Sequence, residues 1–89
     1  MGLFKNTDER LKEIGFNKIE EGTKFTSYNR NIEQYGYTQR LDFIYKSSGR
    51  HLVQSYQEGC NSDGYNNIVG LTRKELKLCI RKMKELGLK

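Results

Sequence analysis

Proline, tryptophan and alanine are absent from these 89 residues, histidine occurs once and cysteine only twice. The lone His51 and the widely separated Cys60 and Cys79, without C-x-x-C spacing, leave no ligand set for zinc. No apolar run approaches the roughly 18 residues that a spanning helix needs. The opening MGLFKNTDER has no signal-peptide core. Gly2 follows Met1 as in a myristoylation start, but Asn6 stands where Ser or Thr is wanted and Lys5 lies beside it. These absences predict a cytoplasmic chain with reduced thiols that makes no contact with membrane. Walker A and dinucleotide fingerprints are also missing, so neither cofactor nor metal is expected.

Hydrophobic content is only 35%, with a mean hydropathy of −0.85. Six Tyr and four Phe nevertheless argue against disorder, because disordered segments are poor in aromatics. The length fits one domain, residues 1–89, burying roughly 60 to 65% of the surface its unfolded chain exposes. Internal repeats and low-complexity tracts are absent.

The most legible stretch is LTRKELKLCIRKMKELGLK, which starts at Leu71. Thr72 and Glu75 form a capping box, and Leu71 and Leu76 stand at the positions of a hydrophobic staple. Leu76, Cys79, Ile80, Met83 and Leu86 recur at the helical period, predicting that this face is buried. Gly87 offers a left-handed cap. By the same angular step Leu78 falls near Lys82 and Glu85 and should be exposed. Arg73, Lys74, Lys77, Arg81 and Lys84 form a band beside the apolar face. Charge is balanced up to Leu71, so the seven basic and two acidic residues beyond it supply the whole net charge of +5. An acidic partner would meet this helix.

Earlier in the chain, Asn6 and Glu9 frame the start of a short helix that Gly15 stops, with Phe16 folding back on it. Residues 16–30 read as one bulged strand or as a hairpin turning at Glu20-Glu21-Gly22-Thr23. Asn29 to Gln34 reads as a connection. Tyr37, Gln39, Leu41, Phe43 and Tyr45 then alternate with polar neighbours, predicting a strand with that set facing the core. Ser47-Ser48-Gly49 closes a hairpin onto a strand from Arg50 to Tyr56. A three-residue loop sets Phe43 against Val53, with Ile44 and Leu52 paired on the outer face; a two-residue loop sets Tyr45 against Leu52. Gln57 to Gly70 reads as a long polar loop, of a length that is usually functional or mobile. The predicted class is α+β: a short N-terminal helix, a three- to four-stranded antiparallel meander and a C-terminal amphipathic helix, with the helices on one sheet face.

Cys60, His51 and Asp63 are the residue types of a thiol nucleophile with its base and orienting carboxylate. No sequence signature of a thiol enzyme surrounds Cys60, and the reading is non-enzymatic. Asn61, Asp63, Gly64 and Asn66 have calcium-loop composition. With Gly64 as the invariant glycine, however, Gly59 and Gly70 occupy the two essential carboxylate positions.

The helix, three-strand, helix order with Arg73, Lys74 and Lys77 at the start of the last helix resembles the double-stranded RNA-binding domain. That resemblance implies phosphate contacts by those three residues. The Gly-Pro-x-His loop of that family is missing. The segments SGRHLVQSY and GCNSDGYNNIVGLT, with a Lys-, Asn-, Ile- and Tyr-rich vocabulary, resemble small open reading frames of phages and prophages. This second resemblance implies an accessory protein that binds a host or phage component. The phage resemblance leads to a binding module that docks a protein partner through the basic band and the loop residues Asn61, Asp63, Tyr65 and Asn66. RNA or DNA binding by Arg73, Lys74, Lys77, Arg81 and Lys84 is the alternative. Leu78, or the outer-face pair Ile44 and Leu52, would serve self-association.

Overall fold

Asn6 begins α1 (Thr7–Glu13) with a complete capping box: the Glu9 amide donates to the Asn6 side chain at 2.8 Å while the Glu9 carboxylate accepts from the Asn6 amide. The computed structural model describes residues 6–59 and 67–87. Gly15 ends the helix at φ +99°, and the Phe16 amide bonds back to the Leu11 carbonyl at 2.9 Å, folding Phe16 into the core as predicted. Any side chain at this glycine would be strained by that φ and would also meet the Arg30 stem at 3.0 Å.

Four antiparallel strands follow in sequential order: β1 (Asn17–Glu21), β2 (Phe25–Ile32), β3 (Tyr37–Ile44) and β4 (Leu52–Gln57). Residues 16–30 resolve into a hairpin whose first strand also carries a bulge between Lys18 and Glu20. Asn29 to Gln34, expected as a connection, is mostly strand. Asn29, Arg30, Asn31 and Ile32 pair with Arg40, Gln39, Thr38 and Tyr37, and the turn comes only after Ile32. Asn29 and Asn31 have weak strand propensity, but a long partner strand and side-chain bonds across it override that preference.

β3 buries Gln39, Leu41 and Phe43 as its alternation predicts, with Tyr37 and Tyr45 half-buried, but Asp42 on the face expected to be wet is buried as well. Of the two registers left open, the structure has Phe43 against Val53 and Ile44 against Leu52. The stretch from Gln57 to Gly70 is not all loop. Val69 donates to the Ser55 carbonyl and Gln57 to the Asn67 carbonyl, so residues 67–69 cover part of the β4 edge.

The fold ends in α2 (Arg73–Glu85), with its own capping box from Thr72 and Glu75 and a left-handed Gly87 after it. Both helices cover one sheet face. The core is Leu11, Phe16, Tyr28, Leu41, Phe43, Leu78 and Cys79, with Tyr28 set edge-on to Phe43 at 5.8 Å. The architecture is α+β, with one strand more than the double-stranded RNA-binding order.

Candidate interaction face

The sequence pattern places the wrong face of α2 inward. Leu78, expected to be exposed, is 8% exposed and belongs to the core, whereas Leu76 and Ile80 are 48% and 56% exposed. The cause is polar. Glu75 completes the capping box through one carboxylate oxygen and pairs with Arg30 through the other at 3.0 Å. One turn from the far end, Lys82 is 6% exposed and pairs with Asp8 at 2.9 Å. Holding positions 75 and 82 inward brings Leu78, Cys79 and Leu86 with them and turns Leu76 and Ile80 out. Leu71 packs on the core instead of stapling to a buried Leu76. A buried Leu78 cannot mediate self-association; on the outer sheet face Ile44 and Leu52 do pair, and Leu52 is 41% exposed.

Asp8 is the hub of the polar layer between the helices. It accepts from the Tyr28 hydroxyl at 2.5 Å and pairs with Lys82 and, at 3.1 Å, with Lys18. Thr7, buried beside it, donates to Glu85. Partial burial alone would raise the Asp8 carboxyl, but the Tyr28, Lys82 and Lys18 bonds outweigh it and hold the carboxyl down at about 2. Burial and the Asp8 carboxylate push the Tyr28 hydroxyl well up. Because the Asp8 pKa is depressed on folding, its contribution to stability is complete above about pH 4. It is lost as pH falls toward 2. Asp8→Asn should flatten that part of the stability curve, measured by urea melts between pH 5 and 2; parallel acid limbs for the two proteins would contradict this.

The contacts of Thr7 with Glu85 and of Asp8 with Lys82 put the start of α1 at the end of α2, so the helices run antiparallel. At the other end of the pair lies a cleft of about 440 Å³ lined by Arg10 and Glu13 of α1, by Ile14 just after it, and by Lys74, Lys77, Leu78 and Arg81 of α2. Ile14 and Leu78 form an apolar floor beneath four cations and one carboxylate. Lys74, Lys77 and Arg81 thus come together, Arg81 also lying 3.5 Å from Glu85. Arg73 and Lys84 are exposed farther round the same outward face. Arg10 was missed. Its signal is the cation-then-apolar step of four residues, Arg10 to Ile14, which repeats as Lys74 to Leu78.

No family model, curated protein or solved structure matches this chain. The site therefore rests on its own geometry.

On the sheet face away from the helices, Asp42 is nearly buried. It accepts from Ser27 at 2.5 Å, Tyr56 at 2.5 Å and Arg40 at 3.0 Å, and Arg40 also reaches Glu58 at 2.9 Å. Burial, then the Asp42 carboxylate, pushes the Tyr56 hydroxyl up to about 12. Bonded from Ser27, Arg40 and Tyr56, this carboxylate braces β2, β3 and β4 together.

His51 accepts the Lys46 amide at Nδ1, closing the β3–β4 loop. Cys60, Asn61, Asp63, Tyr65 and Asn66 lie outside the described residues, so neither the thiol trio nor the loop contacts receive a geometry. Cys79 is different. Burial, aided by Glu75, pushes its thiol up to about 11, and it is 2% exposed. In a Cys60→Ser variant, Ellman's reagent at pH 8 should react at least about 100-fold faster after denaturation than in the native protein. Similar rates would contradict a buried Cys79. Among the described residues no helix is long and apolar enough to cross a membrane.

Proposed function

We propose that the chain is a non-enzymatic binding module, of the small accessory kind found in phages, that docks an acidic protein surface on the basic face of its helix pair. One observation carries this reading: cations from two helices, Arg10 on one and Lys74, Lys77 and Arg81 on the other, converge on an apolar floor of Ile14 and Leu78. A mixed basic and apolar surface suits a protein partner, since desolvated apolar area and paired charge contribute together. The nucleic-acid reading is favoured by the continuity of Arg73, Lys84, Lys77, Arg81 and Lys74 around the outward face of α2. It is disfavoured by Glu13 in the cleft and by the exposed leucine and isoleucine alongside, which add nothing to phosphate neutralisation.

The test is affinity capture, with and without nuclease, comparing the native chain with the fourfold variant Arg10→Glu, Lys74→Glu, Lys77→Glu, Arg81→Glu. The reading expects nuclease-resistant protein partners that the variant loses while its thermal unfolding stays cooperative. Identical capture by both proteins would remove the reading. Capture abolished by nuclease would transfer it to RNA or DNA.

A further inference from the structure

We infer that the partner element is an acidic amphipathic α-helix that packs along Leu76, Ile80 and Met83 of α2 and sets carboxylates against Lys77 and Lys84; this rests on the protein-docking reading above and adds to the cleft a second strip of α2 that shares Lys77 with it. Turning Glu75 and Lys82 inward leaves Leu76 and Ile80 about half exposed, with Met83 half-buried at the end of the same line. Their spacing, four residues and then three, is that of alternating seam positions in a helix pair. Lys77 and Lys84 each follow a seam residue, which is where charge selects the opposing helix. Both are exposed, and so is Arg73 one turn before Leu76.

Charge complementarity decides the occupant. A second copy laid antiparallel sets these lysines against lysines. Laid parallel, it sets them against the positions of Cys79 and Leu86, which α2 turns toward its own core. Neither arrangement supplies a carboxylate, so the complementary helix belongs to another protein and carries Glu or Asp at its flanking positions. The seam is about 10 Å long at 1.5 Å per residue, two helical turns. An interface of that size is of the transient class.

The probe is a designed peptide of about three heptads with Leu at the seam positions and Glu at the flanks, compared with the same peptide carrying Lys at the flanks. Fluorescence anisotropy at low salt should give a Kd on the order of 10 µM for the Glu peptide and binding at least about tenfold weaker for the Lys peptide. The double variant Lys77→Glu, Lys84→Glu should reverse that preference, and Ile80→Asp should abolish binding of both peptides without changing the far-ultraviolet spectrum. Equal affinity for the two peptides, no binding of either, or a double variant that fails to reverse the order would overturn the inference. Preference for a duplex RNA or DNA probe with both peptides refused would overturn it as well. Retention on a polyglutamate resin separates the two levels of argument. If the peptides fail while Arg10, Lys74 and Arg81 still confer retention, only the helical partner falls; if retention fails too, the basic-face reading falls with it.

Discussion

Arg30→Met should lower the unfolding free energy by about 3 to 5 kcal/mol, as expected when one member of a largely buried ion pair is removed. The Arg30 guanidinium meets four parts of the fold at once. It pairs with Glu75 of α2 at 3.0 Å, donates to Gln39 of β3 at 2.6 Å and to the Ile14 carbonyl at the end of α1 at 3.1 Å, and lies 4.1 Å over the Phe16 ring. Its side chain and that of Glu75 are 17% and 12% exposed, so the carboxylate left behind is poorly solvated. Stability at this chain length is on the order of 5 to 13 kcal/mol, which makes the loss a large share of the total. Arg30→Lys should recover less than half of it, because an ammonium lacks the planar fork that serves several acceptors and stacks on an aromatic ring. Adding Glu75→Gln to Arg30→Met should cost less than the sum of the single changes, since the stranded charge is gone. Urea titration followed by circular dichroism reads the parent and all four variants, Glu75→Gln alone included; a loss under about 1 kcal/mol for Arg30→Met would mean the pair is not formed.

The second large effect separates two leucines two residues apart. Leu78→Asp places a carboxylate in the core beside Cys79 and should cost more than about 4 kcal/mol of stability. Leu76→Asp, on a side chain that is 48% exposed in the first turn of α2, should stay within about 0.5 kcal/mol of the parent. Hydrophobic periodicity alone predicts the reverse order. A larger loss for Leu76→Asp than for Leu78→Asp would restore that simpler picture and remove the outward seam.

What could be read from the chain and what could not divide along a physical line. Both capping boxes, the left-handed glycines after each helix and the alternation in β3 are local, and the structure has each of them where the residues placed it. The rotation of α2 is non-local. Leu76 and Ile80 carry more hydrophobicity than Glu75 and Lys82, so a periodicity argument turns them inward. Arg30 and Asp8, distant in sequence, reverse the choice by pairing with the two charged residues. The same non-local pairing explains why Asn29 to Ile32 is strand and why Asp42, on the face expected to be wet, is nearly buried under Arg40 and Tyr56. At the candidate site the basic residues of α2 were legible because they are contiguous on one helix. Arg10 was hidden because only the antiparallel docking of α1 brings it to Lys74 and Lys77.

Native-state labelling of lysine amines with an acetylating reagent, read residue by residue by mass spectrometry, tests directly which side of α2 faces water. Lys74, Lys77 and Lys84 should label at the rate of free lysine, while Lys82, 6% exposed and paired with Asp8, should lag by at least about tenfold until the protein is unfolded. If Lys82 labels as fast as its neighbours, or if any of the other three is protected in its place, α2 is not seated as described and the binding face loses its basis.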